Sequence, residues 1–433
     1  MPFKVAIIGA GPAGLVCARL LKVADIDVEI SVFERDPTPT SRIFRGGSLD
    51  LHGDSGLIAI KKAGLFEKAK KWLRWDGEEI FVSDKNGTIV FHMKDPPKTD
   101  LADYERPEID REMLKELLLE SVGKENVQWG KVLHSIDTSN RTIAFRDGTT
   151  AGPFDLTIGA DGAFSKLRDV VTDVKPVYSG ICGLECHVAS PDEKHPNLVK
   201  RVGNGSLFSY SDHKSITAQR VYDGSLQLHI FWRTEDDNFT TDMFTTYQWN
   251  QEKLKTKILE SFHDWIPEMQ EFVTACDILR PSRLYELPVG NTWAHKSGYT
   301  LIGDAANLMT PFSGEGANKA LTDGLRLSEA LIEALKTKGD IDQAISNFEA
   351  DMFKRAKKVQ ARTMLNKNRI FDDGGAASWP VTIGGFVLED MGYNLNKGWL
   401  SLFPFAAVML LYFRIVQMLG GFQRRTKDAL FGR

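Results

Sequence analysis

The first apolar run, Val5-Ala6-Ile7-Ile8, is short and ends on the cluster Gly9-Ala10-Gly11-Pro12-Ala13-Gly14. A brief apolar run closed by glycines reads as a buried strand entering a tight turn. Leu15 to Val23 then reads as a helix, and Val28 to Phe33 as a second strand closing on Glu34. The same rhythm of strand, glycine-acid turn and helix recurs twice. Residues 155–168 run from a strand ending at Gly159, through Asp161-Gly162, into a helix opening over Ser165 to Arg168. Residues 299–318 end a strand at Gly303-Asp304 and lead through a glycine-rich loop to a helix starting near Gly316.

Between Pro176 and Arg280 the periodicity changes to two. In Ser225 to Trp232, Gln227, His229 and Phe231 share one face, while Leu226, Leu228, Ile230 and Trp232 share the other. Ile181 to Val188 and Leu207 to Arg220 read as partner strands carrying Glu185, Tyr210 and Gln219. Farther on, Asp340 caps a predicted helix running to about Asn366, with Ile345, Phe348, Met352 and Ala356 on its apolar face. Lys354, Arg355, Lys357 and Lys358 on that helix read as a solvated charged face. Gly374-Gly375 and Gly384-Gly385 mark a flexible connection to the tail.

The tail is the most apolar part of the chain. From Trp399 to Phe413 only Ser401 is polar, and Arg424, Arg425, Lys427 and Arg433 outweigh Asp428 after it. The uninterrupted run falls short of the roughly 20 residues that a membrane span wants. Three readings stand: a helix over the mouth of a substrate site, a membrane-surface anchor, or a span counted through Arg414. Under each of them an apolar substrate is expected.

Composition narrows the class. The chain has 433 residues, 42% hydrophobic and 26% charged, ordinary for a globular protein with two to three domain-sized units. A net charge of −4 gives no global field for nucleic acid. Cys17, Cys182, Cys186 and Cys276 are too scattered for a disulfide framework, and no His or Cys cluster completes a metal site. The early apolar run is too short for a secretory segment. There is no repeat or low-complexity tract.

The chemistry sits on the glycines. Strand, Gly-rich turn, helix, strand and terminal acid make the dinucleotide-binding βαβ unit. Gly9 allows the tight turn, Gly11 lets backbone reach a pyrophosphate, and Gly14 lets helix approach strand. The helix N-terminus offers unpaired N–H groups to that pyrophosphate. Glu34 can accept both ribose hydroxyl protons and its charge disfavours a 2′-phosphate, so the bound nucleotide is expected to be FAD or NAD rather than NADP. No second fingerprint occurs, because Gly203/Gly205 and Gly314/Gly316 are followed by Phe208 and Lys319 where a third glycine would fall. Asp304, at a strand's carboxyl end, is placed to accept from a sugar or ribityl hydroxyl. The amides of Gly314 to Asn318 can form a nest for negative charge on a reduced flavin ring.

The succession GAGPAG, ADGAFSKLR and LIGDAANLMTPFSGEGAN resembles the group A FAD-dependent monooxygenases of the para-hydroxybenzoate hydroxylase superfamily. Arg42 to His52, with Gly46-Gly47 inside it, is similar to the tetracycline-inactivating members, and Arg111 matches the family's Arg-x-x-Leu element. The resemblance covers roughly residues 1–370. It departs at Asn307, where the family commonly has His, at Thr310 in place of a first proline, and at Arg45, one extra residue before the glycine pair.

The resemblance implies an α/β fold: a Rossmann-like FAD-binding domain (GR2-type) over residues 1–175 and 281–370, interleaved with a mostly antiparallel substrate sheet over 176–280, and C-terminal helices over 371–433. The implied cofactor residues are Gly9, Gly11, Ala13, Gly14, Glu34, Arg35, Gly47, Arg111, Asp161, Gly162, Asp304, Gly314, Gly316, Ala317 and Asn318, with Arg168 matching an element linked to both FAD and NAD(P)H. The implied substrate residues are Glu185, Gln227, His229 and Phe312, and His229 is a candidate general base on a phenol. The implied reaction reduces FAD with NAD(P)H, adds O₂ at flavin C4a, and transfers one oxygen atom to an aromatic or polycyclic molecule. A flavin reductase or dehydrogenase, and an FAD-containing ligand-binding protein without turnover, are the alternatives. Such an enzyme is expected in the cytoplasm, with membrane contact through residues 399–420 if the tail lies on a bilayer.

Overall fold

A computed structural model describes residues 1–41, 46–75, 77, 79–94, 106–372 and 374–379. The apolar tail, Gly384-Gly385 and Arg42 to Arg45 of the glycine-pair motif lie outside the described residues.

The three strand-end motifs belong to one sheet. Tyr299–Leu301, Leu156–Gly159, Phe3–Ile8, Val28–Phe33 and Val127–Gln128 lie side by side in that order, all parallel. Their carboxyl ends therefore open on one edge, where open α/β sheets bind ligands. Helices Pro12–Val23, Arg111–Val122 and Gly316–Thr337 supply Leu15, Leu21, Leu118, Leu325 and Leu331 to the core against this sheet. Two glycines make the close packing possible. A Cβ on Gly14 would strike the Gly9 carbonyl oxygen, and one on Gly324 would strike the Ala13 carbonyl oxygen and Val16.

The second sheet has seven strands, in the order Ile278–Glu286, Val177–Val188, Leu226–Arg233, Lys214–Arg220, Ser206–Ser211, Ile80–Ser83 and Ile89–Met93. All pairings are antiparallel except Ser206–Ser211 with Ile80–Ser83. The sequence reads Leu207 to Arg220 as strand; the structure folds it as a hairpin around Asp212 and His213, both at positive φ. Residues 80–93, in the span that the sequence assigns to the nucleotide-binding part, add two strands here.

The alternation on Leu226–Arg233 has its expected result. Leu226, Leu228, Ile230 and Trp232 join Leu184, Cys186 and Ile216 in a core covered by Phe239–Thr246, Gln251–Ser261 and Pro267–Thr274. Those covering helices add to the mostly antiparallel sheet read over residues 176–280: Asn250 accepts from the Lys253 N–H as an N-cap, and Pro267 opens the third helix. The other face carries Gln227, His229 and Phe231 toward the nucleotide-binding part.

The helix capped by Asp340 runs Ile341–Phe371 and joins both parts. Its buried Lys367 Nζ lies 2.6 Å from Glu286 and 3.0 Å from the Ser179 carbonyl oxygen on the second sheet. The solvated-face expectation holds for Lys354, Lys357 and Lys358 but not for Arg355, which turns inward to Asp323 at 3.0 Å. The four cysteines are buried free thiols, and burial pushes Cys17 up to about 12 and Cys182 up to about 11. Among the described residues no helix is long and apolar enough to cross a membrane, and no His/Cys/Asp/Glu group is placed to hold a metal ion.

Candidate active site

The fingerprint turn is built around Glu34. Its buried carboxylate accepts from the Ala10 N–H at 2.7 Å and the Asp36 N–H at 3.0 Å, and the Gly9 N–H donates to the Phe33 carbonyl at 2.7 Å. Gly9 sits at φ +111°, and a Cβ there would strike the Ala160 carbonyl oxygen, so the first motif is pressed directly against the second. Pro12 opens the helix after Gly11, leaving the orphan amides of its first turn at the sheet edge. Ala13 is buried against Gly303 of the third motif, while Arg35 is exposed at the rim.

Arg168 ties the second motif to the third. Only 1% exposed, it donates to the carbonyl oxygens of Ala163 at 2.9 Å, Asp304 at 3.0 Å and Ala305 at 2.8 Å. Its guanidinium is thus committed to backbone within the protein. Asp161 accepts from the Lys166 N–H at 2.8 Å, and its Oδ1 is buried with no hydrogen-bond partner. Asp304 opens the short helix Asp304–Asn307 with an exposed side chain, yet it lies deep enough that burial raises its pKa, held back by Lys319, Arg111 and Arg168 in that order. The carboxylate is thus open to solvent at the carboxyl edge of the parallel sheet while protein surrounds it.

The third motif's loop enters the helix Gly316–Thr337. The Asn318 side chain is buried and turned into the protein: it accepts from the His52 N–H at 3.0 Å and donates to the Asp50 carbonyl at 2.7 Å. It therefore secures the segment after Gly47. Ala317 is half-buried beside it. Glu315 is ion-paired with Arg362 and lies 3.7 Å from His52 Nδ1.

The polar face of the second sheet completes the cleft. One cross-strand row runs Arg280, Glu185, His229, Thr217, Phe208, Val82 and Phe91. The neighbouring row carries His187, Gln227, Gln219 and Ser206. Gln219 reaches across to accept from the Ser48 N–H at 2.8 Å and donates to Glu108 at 3.2 Å. Gln227 packs 3.7 Å from the Cβ position of Gly47, and its Nε2 is buried without a partner.

Charge in the cleft centres on Arg111, at the head of its helix and beside Gly46. Burial pushes His229 down to about 4, with the Arg111 cation adding to the effect, so the imidazole is neutral at pH 7. Its unperturbed pKa made it a candidate general base; in place, burial lowers its proton affinity. Glu185 moves the other way: burial raises it, and Arg111 and Arg280 oppose the rise.

Phe312 meets Phe231 edge-on at 5.9 Å and Phe371 at 5.2 Å, and Phe231 stacks on His229 at 5.7 Å. Trp379, Phe208 and Tyr210 extend this aromatic wall. Sequence reading missed Arg280, Thr217, Phe208 and Trp379. The period-two alternation of Ser206–Ser211, Lys214–Arg220 and Ile278–Glu286 held a signal for the first three.

The loops between these groups leave backbone open to a ligand. A Cβ on Gly11, Gly162, Gly314 or Gly316 would meet nothing within 4 Å, although all four sit in the converging loops. Open backbone, an accessible enclosed acid and a helix N-terminus are the donor and acceptor set that FAD uses.

The FAD binding domain family model matches residues 2–363. The chain belongs to this family. Monooxygenase asqM of Emericella nidulans is 30% identical over 427 residues, spanning 84% of this chain and 94% of the relative. Monooxygenase penA of Penicillium thymicola is 29% identical over 425 residues, spanning 86% and 96%. Klebsiella pneumoniae HpxO, solved with FAD and uric acid, shares the fold at TM-score 0.69 and 19% identity, covering 86% of this chain and 89% of that one. Tetracycline destructase Tet(51) shares it at TM-score 0.62 and 20% identity, covering 85% and 91%. This member of the family is an FAD-dependent monooxygenase, in agreement with the sequence resemblance.

Proposed function

We propose that the enzyme oxygenates an aromatic or polycyclic small molecule, using NAD(P)H and O₂, in the cleft between the three strand-end motifs and the polar face of the seven-stranded sheet. The observation that carries this reading is the convergence of Glu185, Gln227, His229 and Phe312 on the cleft that Gly47 and Arg111 share with the cofactor loops.

Residues 1–175 and 281–370 bind the cofactor in this reading, and 176–280 select the substrate with the two strands lent from residues 80–93. Gly9, Gly11, Gly14 and Glu34 receive the ADP half, Arg111 and Asp304 the sugar and pyrophosphate portion, and Gly47 and Gly314 to Asn318 the isoalloxazine edge. When bound, FAD supplies the redox and oxygen-activating chemistry. The protein's own residues orient and enclose. Neutral His229 and the unpartnered Gln227 amide hydrogen-bond polar groups on a flat substrate, Glu185 accepts from a donor on it, and the Phe231–Phe312–Phe371 wall excludes water. The apolar tail sequence supports contact with an apolar surface; vesicle co-sedimentation of the full chain against residues 1–395 tests it.

Substrate-stimulated NAD(P)H oxidation with ¹⁸O₂ tests the reaction. One ¹⁸O atom in the product is expected. Product without label would move the enzyme to a reductase or dehydrogenase, and no substrate-dependent NAD(P)H use across a broad aromatic panel would favour a ligand-binding protein.

A further inference from the structure

Lys319 is an unusual residue to find inside a helix that packs on a hydrophobic core. It lies in the first turn of Gly316–Thr337, only 7% exposed. Lys is almost never fully buried unless paired. Here its Nζ lies 2.7 Å from Asp323, which is fully buried one turn later. Asp323 also binds Arg355 at 3.0 Å and accepts from the Gly303 N–H at 3.2 Å. With its oxygen turned toward Lys319, the buried Asn307 amide accepts from Nζ at 2.9 Å and donates to the Ala306 carbonyl at 3.2 Å. The ammonium is therefore gripped from both ends of the Gly303–Asn307 turn, the turn that presents Asp304.

The charges do not cancel. Two cations, Lys319 and Arg355, share the one buried anion Asp323, which leaves positive charge in the protein interior beside the turn. Arg355 discharges part of its own onto the exposed Asp351 at 2.8 Å. Asp304, presented by the same turn, lies within reach of the Lys319 charge without being ion-paired to it.

We infer that Lys319 is a positioning residue for the cofactor: held by Asp323 and Asn307 against the Gly303–Asn307 turn, its ammonium favours the anionic form of Asp304, the form that best accepts hydroxyl hydrogen bonds from FAD. The inference rests on the proposed placement of Asp304 against the sugar or ribityl portion. A protonated carboxyl would offer a donor and a poorer acceptor to a diol, so the anionic state matters for binding. Burial alone drives Asp304 toward the protonated form, and Lys319 is the foremost group opposing it. The other charges facing Asp304 are Arg111, Arg168 and Asp323. Both arginines stay charged throughout the accessible pH range, so they provide a constant background against which Lys319 can be read. The amide at Asn307 suits this arrangement, because a histidine there could become a second cation facing Nζ.

The experiment titrates apoprotein with FAD from pH 5 to 8, following flavin fluorescence, for wild type, K319M, K319Q and D304A. The wild-type profile is the reference against which the variants are read. In K319M the affinity falls as pH is lowered, with the midpoint of that loss moved upward by about one to three pH units, the effect of an opposite charge at short range. Below that midpoint each further pH unit costs about tenfold in FAD affinity. K319Q keeps a hydrogen bond to Asp323 without the charge and gives the same pH dependence, so it decides the matter if K319M fails to fold.

A role confined to holding the turn would weaken FAD binding by the same factor at every pH. A K319Q curve parallel to wild type overturns the inference. If D304A itself binds FAD like wild type, the placement of Asp304 on the cofactor fails instead.

Discussion

At the scale of single residues, neighbouring glycines in one motif have different tasks, and substitution separates them. A Cβ on Gly14 strikes the Gly9 carbonyl oxygen, whereas one on Gly11 meets no protein atom within 4 Å. Gly14→Ala is therefore expected to destabilise the apoprotein by about 3 kcal/mol, through forced separation of helix and strand. Gly11→Ala leaves apoprotein stability within about 1 kcal/mol of wild type, because Gly11 sits at an ordinary φ of −84°. It nonetheless lowers FAD affinity roughly tenfold or more by intruding where the pyrophosphate approaches backbone. Urea unfolding of apoprotein and FAD titration together check the pair.

His229 gives a second residue-scale expectation. Its folded pKa of about 4 lies below the ordinary value of 6.5, so between those values the unfolded chain binds more protons and stability rises with pH. At one pKa unit per 1.36 kcal/mol, and discounted for partial exposure, the window is worth about 2 kcal/mol. Glu108, raised to about 7 by burial, and Glu185, raised in the same way, slope oppositely. The clean measurement is the difference between wild type and His229→Gln in urea at pH 4.5 and 7. It should be larger at pH 7 in favour of wild type, and a difference equal at both pH values would refute the burial argument.

At the scale of elements, what was legible in the sequence was what is local. The three strand-end glycine-acid motifs and the alternation of Leu226–Arg233 each fit within a few residues, so periodicity and turn chemistry exposed them. The strands Ile80–Ser83 and Ile89–Met93 join the second sheet by pairing with Ser206–Ser211, a partner remote in the chain that no local pattern announces. Arg355 read as one charge in an exposed run because helical spacing alone does not reveal a buried anion on another helix. Arg168 is the sharpest case. Its match to a family element marked it for cofactor and NAD(P)H, and the structure gives it three backbone carbonyls spanning two motifs. Arg168→Leu leaves those acceptors unmet in a buried site and is expected to cost about 3 kcal/mol. Increased hydrogen exchange should follow at both 161–168 and 303–307, since one side chain clamps both segments; exchange rising in only one of them would contradict the clamp.

At the scale of the whole molecule, the parallel sheet and the seven-stranded sheet meet at a seam where strand-end loop and sheet-face residues feel the same charge. Arg111 acts on Asp304 on one side and on Glu185 and His229 on the other. The long helix Ile341–Phe371 pins the same seam through Lys367, Glu286 and Ser179. A substitution on the sheet side can therefore disturb how substrate sits over the cleft while the cofactor loops keep their contacts.

Glu185→Gln tests this division. It retains shape, removes the charge, and alters the group proposed to accept from a substrate donor. FAD affinity of the apoprotein should stay within about twofold of wild type, because the cofactor loops lose no hydrogen bond. KM for substrate should rise by about tenfold, the loss of one charge-assisted hydrogen bond in a partly desolvated site. NAD(P)H consumed per product formed should rise as well, since a loosely held substrate leaves reducing equivalents to escape as peroxide. A fall in FAD affinity matching the rise in KM would mean that Glu185 serves the cofactor loops through Arg111, and the sheet face would then be a support for the flavin site rather than the surface that reads the substrate.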